Sequence, residues 1–403
     1  MPLCAELTLV GAVTPTTREH RSAETRGPML ETAFTFAATL LLMTGLRRFA
    51  PSLGLIDRPG GRKKHEGEVA VIGGVAIFGG YLIGAMLMPG HLDVPAPFLL
   101  CATLLVAVGV ADDRFDVSAW VRLAVQITAA AIMVREGLVI RELGAWDSEM
   151  RIELGAFAPS FTVLAILTAI NAYNMIDGLD GLAGSLGLVS VLSLLTFAHG
   201  AHLSEAAPML VLLAAAIAAF LPFNLPVGIN RRVRCFMGDA GSTLIGFAVA
   251  WFGIQLSQSS APQVQPVTVL WLTMLPLLEL IVSFTRRVAS GRSPLAADAD
   301  HFHHKLMRAG LSTPGVLITL VSLAAMFAAT GVFLEHIDAA PLTSIALLIA
   351  ASAAATGAIL KAHLWVGVLP AWMIQQSSPR ARRALSAHEP CHEPIQPNLR
   401  TSR

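Results

Sequence analysis

The stretch Asn171-Ala-Tyr-Asn-Met-Ile-Asp-Gly-Leu-Asp-Gly-Leu-Ala-Gly184 places two amides and two carboxylates among three glycines, between apolar runs over 161–170 and 186–197. On a helix Asn171, Asn174 and Asp177 fall at i, i+3 and i+6 and share one face. Asp180 extends that row as the chain begins to turn. Carboxylates and amides are hard oxygen ligands, suited to Mg²⁺ or Mn²⁺. A polar turn that merely caps a helix would use the same letters. Ionisable groups at the end of a strongly apolar helix favour the functional reading.

Four further stretches carry comparable chemistry. Asp57-Arg-Pro-Gly-Gly-Arg-Lys-Lys-His65 sets Arg62, Lys63, Lys64 and His65 beside glycines, a composition suited to phosphate. Asp112-Asp-Arg-Phe-Asp116 holds three carboxylates. On a helix they lie close enough to repel unless a cation or a basic partner stands near. One of them could accept a proton, or they could bind a metal–diphosphate. Phe236-Met-Gly-Asp-Ala-Gly-Ser-Thr243 puts Asp239 between two glycines where a helix begins. There it is either an N-cap or a metal ligand beside a phosphate at the helix N-terminus. Asp298-Ala-Asp-His-Phe-His-His-Lys305 brings His301, His303 and His304 together with Lys305, followed by Arg308. That set suits a polyphosphate or its leaving group. A three-histidine zinc site is the rival, disfavoured by the neighbouring Lys and Arg and the absence of Cys.

Long apolar segments must position these stretches. Of 403 residues, 54% are hydrophobic and only 14% charged. A soluble domain carries about 25% charged residues, so the chain reads as an all-α, polytopic integral membrane protein. Eleven apolar segments approach the length needed to cross ~30 Å of hydrocarbon. They cover 30–50, 70–88, 96–111, 119–134, 159–176, 183–199, 206–224, 240–258, 266–285, 313–334 and 341–361. Lys and Arg concentrate in the first, third, seventh and ninth loops and in the C-terminal tail; the second, sixth, eighth and tenth loops hold none. The positive-inside rule then puts the N-terminus outside and the C-terminus inside. The fourth loop, with Arg135, Arg141 and Arg151, is the one exception. Residues 1–28 read as a disordered tail or an upstream extension before Met29, with no signal-peptide pattern. Residues 29–373 form the membrane domain and 374–403 a disordered cytoplasmic tail. Four cysteines without CxxC spacing are expected to be unpaired thiols.

Every chemistry-bearing stretch above sits on a loop assigned to the cytoplasm. Acids for a divalent cation and bases for anionic oxygens, at the bilayer surface, fit a nucleotide-diphosphate substrate with a lipid co-substrate. A transporter or channel would instead carry acids mid-span, often with repeat symmetry. No nucleic-acid partner is expected.

At DRPGGRKKH, DDRFD, NAYNMIDGLDGLAG, FMGDAGSTLIGF and HFHHKLMRAG the chain resembles the polyprenyl-phosphate N-acetylhexosamine-1-phosphate transferases, glycosyltransferase family 4, nearest the WecA type. The resemblance spans roughly residues 30–365. It implies a Mg²⁺-dependent enzyme of the bacterial cytoplasmic (inner) membrane, with its active site on the cytoplasmic face. The reaction implied is transfer of N-acetylhexosamine 1-phosphate, GlcNAc-1-phosphate first of all, from a UDP-sugar to undecaprenyl phosphate with release of UMP. This would be the first lipid-linked step of an envelope polysaccharide such as O-antigen. By the same resemblance Asn174 and Asp239 are metal ligands, with Mn²⁺ as a possible substitute. Asp112, Asp113, Asp177, Asp180 and His301 are catalytic. Arg62, Lys63, His65, Asp116, Asn171, His303, His304 and Lys305 bind substrate, and a homodimer is possible. Ala70, Ala299 and Glu279 replace residues usual in the family (Pro, Arg and Asp), which touches the diphosphate contacts and the choice of sugar. The runner-up is the same reaction with another sugar, a deoxy-amino hexose or the phospho-muramoyl-pentapeptide of the peptidoglycan branch.

Overall fold

The computed structural model describes residues 16–58, 67–87, 94–145, 151–198, 206–226, 235–293 and 300–375. Each of the eleven apolar segments contains helix there, although the segment over 70–88 begins in a strand. The helices are α1 (Thr16–Leu53), α2 (Gly73–Met86), α3 (Ala96–Phe115), α4 (Ala119–Arg135), α5 (Ala158–Ile176), α6 (Leu182–Leu195), α7 (Ala206–Asn224), α8 (Gly238–Gln258), α9 (Pro266–Leu272), α10 (Met274–Ala289), α11 (Phe302–Ala309), α12 (Thr313–His336) and α13 (Pro341–Leu360). Six of these, α3, α5, α7, α8, α12 and α13, are long and apolar enough to cross a membrane. The pair α9–α10 makes a seventh if counted as one span. At ~1.5 Å per residue the fourteen residues of α2 or α6 reach only about 21 Å, short of the hydrocarbon thickness.

The segment expected as one helix over 266–285 is broken. α9 and α10 meet at 82° around Thr273. The cause is Pro276, which has no N–H for the Leu272 carbonyl and whose ring would collide with it. α1 begins at Thr16, upstream of the expected start of the membrane domain. Ile374 and Gln375, assigned to the tail, are pinned: Ile374 bridges Leu311, and the Gln375 N–H donates to Gly310 O at 2.8 Å.

The bundle is built around α8, nearly all of which is buried. A helix apolar on every side belongs in the middle. It packs against α2, α3, α5 and α6. Phe98 of α3 meets Phe247, Trp251 and Phe252 of α8 at ring-centroid separations of 5.3–5.7 Å.

A small sheet draws distant loops together. β1 (Ile56–Asp57) pairs antiparallel with β2 (Val69–Val71), which pairs parallel with β5 (Cys235–Phe236). The strands that flank the first loop thus lie beside the segment that leads into Asp239. At the other end of the bundle, β3 (Glu142–Ala145) and β4 (Arg151–Glu153) form a hairpin from the basic fourth loop. Cys101 and Cys235 are buried free thiols.

Candidate active site

The polar ends of α3, α5 and α8 meet because the backbones come close. A Cβ on Gly109 would run into the backbone of Ala240, so α3 can cross α8 there only as glycine. One turn later α3 presents Asp112 and Asp113. Asp113 accepts the Asp239 N–H (Oδ1, 2.9 Å) and the Ala240 N–H (Oδ2, 3.4 Å). It therefore caps α8 from a neighbouring helix, in place of a capping side chain at Met237.

Asp112 and Asp239 are joined by a residue that the motifs do not contain. Nη1 of Arg122, in the first turn of α4, lies 2.6 Å from Asp112 Oδ2 and 2.7 Å from Asp239 Oδ2. The Oδ1 of Asp112 is buried with no hydrogen-bond partner among the described residues. Its signal in the sequence was a lone arginine inside an apolar segment.

A cavity of about 940 Å³ opens on these groups. Its lining includes Asp57, Asp112, Asp113, Asp116, Asp177, Asp180, Asn224 and Asp239. Asp177, just beyond the end of α5, has its carboxyl pushed up to about 8 by burial and by the charges of Asp239, Asp113 and Asp180. Asp116 ends α3 in the left-handed conformation (φ 54°) and is exposed. Asn224 closes the far wall: its Oδ1 accepts the Gly181 N–H at 2.7 Å, and its Nδ2 donates to Cys235 O at 2.9 Å.

The row Asn171, Asn174, Asp177 diverges, the first two reaching neighbouring helices and Asp177 the cavity. Asn171 Nδ2 donates to Gln126 Oε1 of α4 at 2.8 Å and to Leu167 O, a bridge between helices away from the cavity lining. Asn174 Nδ2 donates to Ser242 Oγ of α8 at 3.1 Å, one turn beyond Asp239; it too lies outside the lining.

The histidine block approaches the same loop. A Cβ on Gly178 would stand 2.6 Å from Cε1 of His303, so the imidazole packs directly on the glycine that follows Asp177. Burial, then the charges of His304 and His301, lower the His303 imidazole to about 3. His304 is lowered for similar reasons, with Arg308 adding to the effect. His303 is thus neutral near pH 7 and offers a hydrogen bond rather than a charge. The cations beside it, Arg286, Lys305 and Arg308, close on Asp300. Burial alone would raise that carboxyl; the bonds from Lys305 and Arg308 and the charges of Lys305 and Arg286 hold it at about 2. His301 Nδ1 pairs with the buried Glu279 of α10 at 2.9 Å.

The expected sites at Arg62, Lys63 and His65 lie outside the described residues. Among the described residues, no three His, Cys, Asp or Glu side chains stand as a ready-made metal cage.

Residues 96–257, from α3 to the end of α8, match glycosyl transferase family 4. A Yersinia pestis protein named undecaprenyl-phosphate alpha-N-acetylglucosaminyl 1-phosphate transferase is 33% identical over 312 residues, 77% of this chain and 85% of that one. The chain belongs to glycosyl transferase family 4. Proteins of the same name from Escherichia coli K12 and Haemophilus influenzae are 32% and 34% identical, over 82% and 87% of their lengths. The matched region of this family 4 protein carries Asp112, Asp113, Arg122, Asn174, Asp177, Asp180 and Asp239. The Glu279–His301 pair and Asp300 lie beyond it.

Proposed function

We propose that the protein transfers N-acetylglucosamine 1-phosphate from UDP-N-acetylglucosamine to undecaprenyl phosphate, releasing UMP. Family membership gives the reaction class. The observation that carries the reading is the convergence of Asp112, Asp113, Asp177, Asp180 and Asp239, from three separate stretches, on one cavity at helix ends. An oxygen of the lipid phosphate attacks the β-phosphorus of the nucleotide sugar. The bond from that phosphorus to the bridging oxygen breaks, and UMP departs with the oxygen. A phosphate monoester is already largely ionised at pH 7, its second pKa being about 6, so positioning and charge neutralisation matter more than proton removal.

A divalent cation, Mg²⁺ or Mn²⁺, fits the donor set. Seven carboxylates line the cavity, Asp112 keeps a buried oxygen with no hydrogen-bond partner among the described residues, and Asp177 is driven toward its neutral form by burial and then by the charges of its neighbours. Asp239 and the oxygen of Asn174 are the groups we assign to hold it. Bound there, the ion would neutralise charge on the diphosphate. Asp113 orients Asp239 through the α8 cap, Asp112 faces the reacting phosphates, and Asp180 orders the uridine side. The first-loop bases Arg62 and Lys63, with His65, meet anionic oxygens, while His301, His303 and His304 donate hydrogen bonds to them.

The polar ends of α3, α5 and α8 meet on one cavity, and the positive-inside pattern of the sequence assigns their loops to the cytoplasm, which supports a cytoplasmic active site in a bacterial inner membrane. The proposed topology has eleven crossings, with α9–α10 as one and the short α2 and α6 counted among them, the N-terminus outside and the C-terminus inside. A homodimer is compatible with this arrangement. The test is incubation of membranes containing the protein with labelled UDP-N-acetylglucosamine, undecaprenyl phosphate and Mg²⁺, beside a panel of other UDP-sugars. Label in the lipid with equimolar UMP is expected. Release of UDP, or no labelled lipid, would overturn the reading, and a better donor in the panel would change the sugar.

A further inference from the structure

Arg122 stands in an unusual place for a cation. It lies in the first turn of α4, where the helix macrodipole already contributes positive charge. What holds it there is the pair of carboxylates it joins, Asp112 from α3 and Asp239 from α8, at 2.6 and 2.7 Å from one nitrogen. Those distances are those of charge-assisted bonds. Arg114, which lines the cavity, instead has its guanidinium 4.8 Å from the Phe115 ring centroid.

Two carboxylates converging from different helices need a positive charge or a proton between them. Mg²⁺ binds oxygens at about 2.0–2.1 Å, closer than the guanidinium nitrogen stands to them. A divalent ion on the Asp239 carboxylate and a guanidinium on the same oxygen would repel strongly in a partly buried site. The two cations therefore compete for one place.

We infer that Arg122 is a built-in counter-cation: it holds the Asp112–Asp239 pair in register when no divalent ion is bound, and an ion binds there as the guanidinium withdraws. This rests on the proposed role of Asp239 as a metal ligand. Asp112 then helps set the affinity of a site it shares with Arg122. Arg122 is a positioning residue, acting on the geometry and charge of the carboxylates.

The test is Mn²⁺ binding to purified protein in detergent, followed by the electron paramagnetic resonance signal of free Mn²⁺. Removing the competitor in Arg122→Gln should tighten Mn²⁺ binding by about tenfold, the order expected for losing one nearby charge in a half-exposed site. Arg122→Lys, which keeps the charge, should restore binding close to that of the unaltered protein. Equal or weaker binding by Arg122→Gln would overturn the inference. In the unaltered protein, Mn²⁺ should increase modification of Arg122 by phenylglyoxal, read by mass spectrometry; unchanged or reduced modification would also overturn it, and this readout does not depend on a variant folding. Asp239→Asn, run in parallel, separates the two levels. If it binds Mn²⁺ as the unaltered protein does, the metal assignment itself fails. If it loses binding while Arg122→Gln gains none, only the counter-cation is refuted.

Discussion

Glu279 holds the start of α11 from α10: its Oε1 lies 2.9 Å from His301 Nδ1 and its Oε2 accepts the Phe302 N–H at 2.8 Å. Ser283 of α10 donates a third bond to the same carboxylate at 3.0 Å. The carboxylate is almost wholly buried, so its bonds do not compete with water. Glu279→Gln keeps an oxygen for the Phe302 N–H but loses the charge facing His301. A bond to a charged group is worth about 1.5–3 kcal/mol, so kcat should fall by about 10–100-fold with thermal stability nearly kept. Glu279→Ala should also lower stability, since it strands buried donors at about 1–3 kcal/mol each. An unchanged kcat in Glu279→Gln would remove His301 from the chemistry.

Gly109 governs how closely α3 approaches α8. Gly109→Ala puts a methyl group into the backbone of Ala240 and must push the helices apart. Overpacking of this kind costs about 1–3 kcal/mol. Asp113 sits one turn away and caps α8, so activity should fall further than the loss of stability accounts for. The check is to compare transfer rate and thermal unfolding for Gly109→Ala and for Gly79→Ala, whose added methyl would meet only the end of a Leu42 side chain. Equal effects on activity would mean that the α3–α8 contact does not set the site.

Much of this was legible in the sequence. Apolar length located the long apolar helices but neither the short α11 nor the break between α9 and α10, and the motif acids Asp112, Asp113, Asp177, Asp180 and Asp239 do share a cavity. What was not legible depends on partners far along the chain. Arg122 looks like a stray charge until α8 is set beside α4. Asn171 looks like a ligand until Gln126 of α4 takes its amide. The histidines look cationic, but burial of His303 cannot be read from HFHH. The break at Thr273 was readable in principle, because Pro276 sits one turn after it.

The buried imidazole makes a prediction about acid. Folding holds His303 at about 3, below the ordinary value near 6.5. Between those limits the unfolded chain binds a proton that the folded one does not, so stability falls as pH drops. The slope from this one group is at most about 1.4 kcal/mol per pH unit, starting near pH 6.5 and ending near pH 3. Asp300, with its lowered carboxyl, adds a smaller loss of the same sign below about pH 4, discounted because its side chain is partly exposed. Thermal unfolding of His303→Gln across pH 4–7 should show a flatter dependence than the unaltered protein. An identical slope would mean that His303 titrates normally.

The first loop bears on substrate binding. Its two ends are paired in the sheet, Asp57 opposite Val69, and Asp57 lines the cavity together with Val71 at the far end of β2. Arg62, Lys63 and Lys64 lie between these ends in sequence. The cavity itself is strongly acidic, so two anionic substrates need positive charge near it beyond any bound ion. Replacing Arg62, Lys63 and Lys64 together by Glu should raise KM for the nucleotide sugar or for the lipid phosphate by about tenfold or more, with a weaker effect on kcat. The rise should shrink at high salt, since exposed charges are screened beyond about 10 Å at 0.1 M. Steady-state kinetics with each substrate varied in turn, at low and high ionic strength, would identify which phosphate the loop meets. Both KM values unchanged would take the loop out of the site and leave its basic residues as a marker of membrane orientation alone.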